Sequence, residues 1–153
     1  MNKMCDIYFS TKTKCPELRY FKIFDKKFIQ NERDEYIGFA NANISRLKLI
    51  PILSNLRHKG IEVFSVPIEY RDGATINFDD AFEVAEGYAK LNGIVVAKNN
   101  SKEERAPLFW VFDVVGGSDG DRAGGVVMID RLDAHVWSID EYEEYMYDYN
   151  NIF

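Results

Sequence analysis

Short apolar runs separated by polar stretches dominate the first 45 positions of the chain. The runs are rich in the aromatic and β-branched residues that strands favour, so they predict β-strands. The predicted strands are Asp6–Ser10, Tyr20–Phe24, Phe28–Gln30 and Tyr36–Asn41. The polar stretches between them predict connecting loops.

After residue 45 the apolar spacing becomes helical. Four apolar residues lie at i, i+3, i+4 and i+7, which places them on one helix face. They are Leu49, Ile52, Leu53 and Leu56. Ser45 is a candidate N-cap and Gly60 a candidate stop, while Pro51 either opens the helix at its first position or kinks it. A strand over Ile61–Tyr70 is predicted next, and Pro67 favours an edge position for it because proline has no N–H to donate.

The clearest helix of the chain lies in the second half. Its apolar residues share one face, which predicts an amphipathic helix packed on a core. They are Phe78, Ala81, Phe82, Ala85, Tyr88 and Ala89. Asn77 can cap the helix, Asp79 and Asp80 suit the positive end of its dipole, and Gly93 ends it.

Further strands and a terminal helix follow. The predicted strands are Ile94–Lys98, Leu108–Val115, Val126–Asp130 and His135–Trp137. The tail Asp140–Asn150 is predicted to form a short helix beginning near Ser138. This order of elements predicts an α+β fold with mainly antiparallel pairing.

The turn Arg71–Gly73 is the best candidate for a domain boundary. We therefore expect an N-terminal α+β segment over residues 1–73 and a second α+β module over residues 75–153, which may or may not share one core.

The distribution of charge along the chain supports this division. Residues 1–74 carry 13 Lys and Arg against 9 Asp and Glu, a net +4, whereas residues 75–153 carry 6 against 16, a net −10. The second module therefore favours a basic protein partner over nucleic acid or a membrane surface.

The composition is that of a globular protein. With 153 residues, 46% of them hydrophobic, the chain can bury a sizeable core. No apolar run is long enough for a signal peptide or a membrane-spanning helix, so we expect a cytoplasmic protein. Cys5 and Cys15 match no metal-binding or redox spacing and are expected to be reduced.

The glycine-rich loop Gly116–Gly125 contains Asp119 and Asp121 in a DGD core. A calcium loop of the EF-hand kind needs a glutamate at its twelfth position, which here is Asp130 inside an apolar strand. A phosphate-binding loop of the Walker type needs a lysine that this loop lacks. A hairpin loop is the simpler interpretation, and no metal or cofactor is expected.

No grouping of residues predicts a catalytic site. His58 and His135 have no sequence neighbours that complete a triad or a metal set, and neither cysteine has a nearby histidine. Asp113 is the one carboxylate placed to be shielded within an aromatic strand, although it could equally point outward. We expect a protein that is not an enzyme.

The tail interleaves tyrosines with carboxylates. The residues are Glu141, Tyr142, Glu143, Glu144, Tyr145, Tyr147, Asp148 and Tyr149. Tyrosine gives large contact area with a polar tip, and neighbouring carboxylates attract Lys and Arg. The tail is therefore predicted to bind a partner, to pack its tyrosines on the sheet, or to do both with different faces.

Several stretches between Asn77 and Tyr145 resemble the YrhB-like, or immunity protein 35, family, whose members are encoded beside bacterial polymorphic toxins. The opening helix NFDDAFEVAEGYAKL, the charged run and aromatic strand EERAPLFWVFDV, and the segment GGVVMIDRLDAHVW occur in the family's order. The acidic Asp140–Tyr142 matches the start of its C-terminal segment, while Ala134 stands where the family usually has a turn glycine. Residues 1–74 have no counterpart.

The resemblance implies an immunity protein that binds one cognate toxin C-terminal domain, basic and nuclease-like, and has no catalytic residues. A chaperone-like or nucleic-acid-mimicking protein of broad specificity is the alternative. The predicted toxin interface consists of Asp119, Asp121, Glu141, Tyr142, Glu143, Glu144, Tyr145, Tyr147 and Asp148.

Overall fold

A computed structural model of the protein describes residues 3–14, 22–23, 35–98, 108–117 and 125–152. These residues form helices and antiparallel sheets, so the predicted α+β class is confirmed. They divide into two compact units, Met1–Asp72 with Asp140–Phe153, and Gly73–Ile139. Among the described residues, every helix is too short or too polar to cross a membrane.

The division after Asp72 falls at the expected boundary, but the tail Asp140–Phe153, expected in the second module, belongs to the first unit. The acidic excess is therefore shared between the units. Gly73–Ile139 carries 11 Asp and Glu against 6 Lys and Arg, and the tail carries 5 Asp and Glu with no basic residue.

The first unit is built on a four-stranded antiparallel sheet of order β2-β3-β1-β4. Its strands are β1 (Met4–Lys14), β2 (Lys22–Ile23), β3 (Glu35–Ser45) and β4 (Val63–Pro67). Pro67 ends the edge strand β4, as its missing N–H predicts. Of the other predicted strands, Tyr20–Phe24 is described only at Lys22–Ile23, and Phe28–Gln30 lies outside the described residues.

Helix α1 (Arg46–His58) packs on this sheet through Leu49, Leu53 and Leu56, which are buried. Pro51 lies inside the helix and is exposed, so the interpretation in which it opens the helix is wrong. Ser45 occupies the N-cap position but makes no side-chain cap bond.

The sequence predicts a turn at Arg71–Gly73, after the strand Ile61–Tyr70. The structure has a one-turn helix there, α2 (Glu69–Gly73). The predicted strand stops early because Pro67 cannot extend the sheet and the backbone then coils, with Arg71 N–H donating to the Ile68 carbonyl at 3.1 Å. From this helix Arg71 reaches the buried Asp6 carboxylate at 3.0 Å and the Asn41 side chain at 2.8 Å. Burial raises the pKa of Asp6, although the Asn43 N–H and Arg71 stabilise its charged form.

The core of the first unit lies between the sheet and α1. Its buried side chains are Cys5, Ile7, Phe9, Tyr36, Ala40, Leu49, Leu53, Leu56 and Val63. Tyr149 of the tail packs against the same cluster. The tail itself is helix α4 (Ile139–Glu144) followed by a π-helical turn over Tyr145–Tyr149, which confirms the helix predicted to begin near Ser138.

The second unit places one helix on a three-stranded antiparallel sheet of order β5-β6-β7. Its elements are α3 (Phe78–Leu91), β5 (Ile94–Val96), β6 (Phe109–Gly117) and β7 (Val126–Asp130). The Asn77 side chain accepts the Asp80 N–H at 2.8 Å, which confirms the predicted cap. The strand predicted at His135–Trp137 forms one isolated bridge, between Val136 and Ile129.

The core of the second unit joins the small side chains of α3 to the apolar face of the sheet. Ala81, Ala85 and Ala89 are buried against Phe112 and Ile129. The alanines let the helix approach the sheet closely, and Phe78 and Phe82 pack against Phe112 at centroid distances of 5.3 and 5.6 Å.

Candidate functional site

The C-terminal segment presents an exposed side and a buried side. The exposed residues follow each other at intervals of three and four, so they share one side of the helix. Within Asp140–Asn150 they are Asp140, Glu143, Glu144, Tyr147 and Asp148, which we call the acidic tail face. Tyr145, Met146 and Asn150 lie on the other side and are buried. The amphipathic pattern turns four carboxylates and one tyrosine toward solvent together.

The buried side of the tail is bonded to the edge strand β4. The Tyr145 hydroxyl donates to the Ser65 carbonyl at 2.6 Å, and the Asn150 Oδ1 accepts the Ser65 N–H at 2.6 Å. Asn150 also donates from Nδ2 to the Tyr145 carbonyl at 3.0 Å. These side chains satisfy backbone groups that an edge strand would otherwise leave open, so the tail covers this edge of the sheet.

Two arginines from α1 hold the end of the tail. Arg57 donates to the Asn150 carbonyl and, at 3.0 Å, to the Val63 carbonyl of β4. Arg46 donates to the Asp148 carbonyl at 2.8 Å and lies over the Tyr149 ring at 5.1 Å. Cations suit the carbonyl end of a helix, and these contacts satisfy acceptors that the last turn leaves free.

The chain then turns sharply after the tail helix. Asn151 has a φ of 54°, in the left-handed region that asparagine tolerates, and its N–H donates to the Tyr147 carbonyl at 3.0 Å. The Ile152 N–H donates to the Met146 carbonyl at 2.8 Å. The acidic tail face is therefore carried by a segment whose far end is capped as well as anchored.

The four carboxylates of the acidic tail face form no ion pair with any residue in the described part of the chain. Carboxylates on α3 differ, because Asp79 pairs with Lys98 at 3.1 Å and Glu86 with Lys90 at 3.9 Å. The tail contains no Lys or Arg to neutralise its own charge. Its negative field is thus available to an external cation.

Seven of the nine predicted interface residues are described, and they differ in their exposure to solvent. Glu143, Glu144, Tyr147 and Asp148 are exposed, with Tyr147 at 46%, while Glu141 and Tyr142 are half-buried. Tyr145 is 3% exposed and cannot meet a partner in this conformation, because it fills the space against β4. Asp119 and Asp121 lie outside the described residues.

Asp140 joins the exposed face although sequence reasoning left it out of the interface. Its spacing of three from Glu143 was the available signal. Burial is the main cause that raises the pKa of the Tyr145 hydroxyl above its ordinary value of 10.0. Burial likewise lowers the pKa of Arg57. Both pKa shifts have the same main cause, because the side of the tail that contacts β4 and α1 is shielded from water.

One group of side chains could offer ligands to a metal ion. The ligand atoms of Asp130, Asp133 and His135 lie within 4.8 Å of one another. Asp130 is buried and accepts the Leu132 N–H at 2.7 Å and the Trp137 Nε1–H at 2.7 Å. Asp133 contacts His135 at 2.5 Å, and bonds from His135 lower the pKa of the Asp133 carboxyl. These bonds account for the carboxylates as parts of the turn after β7.

The other candidate catalytic residues of the described part lie on separate elements. Cys5 is buried in the first core, and desolvation raises the pKa of its thiol, which disfavours the nucleophilic thiolate. His58 is exposed at the end of α1. Asp113 is half-buried on β6 of the second unit, on the face away from α3.

Searches against protein-family models, curated proteins and solved structures find no match to the chain.

Proposed function

We propose that the protein is a cytoplasmic immunity protein, which binds and neutralises a cognate bacterial toxin by covering the active site of its basic, nuclease-like C-terminal domain. The acidic tail face is the observation that carries the proposal. Its four carboxylates make no ion pair with the described residues, and an exposed tyrosine lies among them.

The chemistry of such a face matches a cleft that binds phosphates. A nuclease cleft is lined by Lys and Arg, and carboxylates can take the place of the phosphate oxygens. A field of one sign speeds encounter by about 10- to 1,000-fold at low salt. Tyr147 adds apolar contact area beside the charges and is the natural anchor for slow release.

Rigidity of the tail favours a single partner over many. Broadly specific binders use flexible surfaces that repack for each partner. Here the face is fixed by the Asn150 and Tyr145 bonds to Ser65 and by two arginines. A preorganised surface loses little entropy on binding, which supports an immunity protein over a chaperone-like one.

One feature of the second unit is consistent with the family resemblance. Ala134 stands where the family usually has a turn glycine, and it adopts a φ of 63°, the left-handed backbone that glycine favours. Helix α3 followed by antiparallel strands also agrees with the expected order of elements. Toxin neutralisation is what that resemblance implies.

Growth rescue tests the proposal directly. The family resemblance predicts a toxin gene beside this one, and the C-terminal domain of that toxin would be expressed in a bacterial host with and without the chain. We expect the chain to restore growth and to co-purify with the toxin domain in a one-to-one complex. Failure to protect, with both proteins present in soluble form, would contradict the proposal. Co-purification with several unrelated proteins, and with no stoichiometric toxin complex, would favour the chaperone-like alternative.

A further inference from the structure

The sheet of the second unit uses only one of its faces to pack against α3. Phe112 and Val114 of β6, Val127 of β7 and Val96 of β5 belong to the core beneath the helix. Successive side chains of a strand point to opposite faces, so Val95, Val111, Asp113 and Val126 point away from α3. The register pairs Asp113 with Val126 on that other face, and a register shift between Val95 and Val96 interrupts the alternation of β6 beyond Val114.

Part of the other face is apolar and accessible to solvent. Its residues are Val95, Ala97, Val111, Asp113 and Val126, which we call the open sheet face. Val95 is 55% exposed and Val126 48%. These two valines, on the strands either side of β6, form a patch with the half-buried Ala97 and Val111, whereas exposed apolar residues on a monomer are usually scattered.

Asp113 lies at the centre of this patch. Val126 faces it across the ladder to β7, and the Ala97 N–H donates to its backbone carbonyl at 3.0 Å from the other side. Its carboxylate makes no hydrogen bond or ion pair with the described residues. Considering only the residues that the structure describes, the open sheet face thus combines one carboxylate that makes no ion pair with four small apolar side chains.

The size and charge of the patch restrict what can cover it. Strands about 4.8 Å apart and same-face residues about 7 Å apart give an area on the order of 200 Å². A stable interface buries about 800 Å² on each partner, so the patch can form only the centre of one. A second copy stacked symmetrically would bring two Asp113 carboxylates together, and like charges at an interface centre are unfavourable.

We propose that the open sheet face is a docking site for a protein segment that presents one arginine or lysine flanked by apolar side chains. The cation pairs with Asp113, and the flanking side chains cover Val95 and Val126. This surface lies in the second unit, whereas the proposed toxin-binding face lies on the first, so the inference does not rest on the proposed function.

A peptide titration observed by NMR tests the proposal on the full chain. The probe is acetyl-Leu-Arg-Leu-amide, added to the ¹⁵N-labelled protein up to millimolar concentration. We expect it to shift the amide signals of Val95, Val111, Asp113 and Val126 together, and we expect the same peptide with Glu in place of Arg to shift them little. Asp113→Asn should weaken the arginine peptide about five- to tenfold, since it removes the charge of a charge-assisted bond.

Two matched variants make the outcome decisive. Glu143→Gln with Glu144→Gln removes charge from the acidic tail face and should leave the titration at the open sheet face unchanged. Glu83→Gln on α3 should also leave it unchanged. Shifts confined to the acidic tail face, or equal shifts with the Arg and Glu peptides, would overturn the docking site while leaving the growth-rescue result untouched.

Discussion

Asn150 is the residue that connects the C-terminal segment to the edge of the first sheet. It is fully buried, accepts the Ser65 N–H at 2.6 Å and donates to the Tyr145 carbonyl at 3.0 Å, and Arg57 bonds its carbonyl. A buried polar side chain with this many partners is costly to remove, because each partner is left without a bond and without water.

Replacing Asn150 by Ala should therefore lower the free energy of unfolding by about 2–4 kcal/mol. Urea unfolding followed by circular dichroism measures the change. Asn55→Ala is the matched control, because Asn55 is exposed on α1, and its effect should stay within about 0.5 kcal/mol. Equal losses in the two variants would show that Asn150 does not anchor the tail.

Tyr145 predicts a loss of stability at alkaline pH. Its pKa is raised by burial, so its contribution to stability is complete below the unfolded value near 10.0 and is lost as pH rises above it toward the higher folded value. In that window one such group lowers the free energy of unfolding by about 1.4 kcal/mol per pH unit. Tyr145→Phe should reduce this slope when stability is measured between pH 9 and 11. An unchanged slope would mean that Tyr145 ionises in the folded protein as readily as in the unfolded chain.

Helix α3 shows an element whose limits are set by local sequence. Asn77→Ala removes the acceptor of the Asp80 N–H and should destabilise the protein by about 1 kcal/mol. Asn77→Asp retains an acceptor at the same position and should recover most of the loss. Chemical unfolding of the three proteins measures both effects. Equal destabilisation by Ala and Asp would contradict a capping role.

Elements governed by neighbouring residues could be predicted, and elements governed by distant ones could not. Helix α3 and strand β7 follow from spacing within a dozen positions. The bond from Asn150 to Ser65 spans 85 residues, so no local pattern indicates that the tail covers β4. The same distance explains why the tail was expected in the second module, whereas it belongs to the first unit.

The sequence predicts an acidic, tyrosine-rich surface on the tail, but it does not predict which tail residues are exposed. Tyr145 and Tyr147 stand two positions apart among the same acidic neighbours, yet one is 3% and the other 46% exposed. The contact with β4 distinguishes them, since the Tyr145 hydroxyl donates to the Ser65 carbonyl at 2.6 Å. Asp140 was left out of the interface because its place on the exposed side depends on the phase of the helix.

At the scale of the whole molecule, the charge asymmetry of the sequence is redistributed by the fold. The tail brings 5 acidic residues to a unit whose residues 1–72 carry a net +4. Arg46 and Arg57 use part of that positive charge to hold the tail from beneath. The positive charge of the first half has no explanation in the sequence alone. In the structure, part of it binds the segment that carries the acidic tail face.

The most direct measurement is the affinity of the chain for the toxin domain that we propose as its partner, determined by calorimetry for two charge-matched double variants. Glu143→Lys with Glu144→Lys reverses the acidic tail face, while Glu83→Lys with Glu86→Lys makes the same net change on α3. We expect the first pair to weaken binding by at least about a hundredfold, because like charges then meet at the interface. The second pair should change it by less than about threefold. Similar losses from both pairs, or no loss from the first, would contradict the acidic tail face as the binding site.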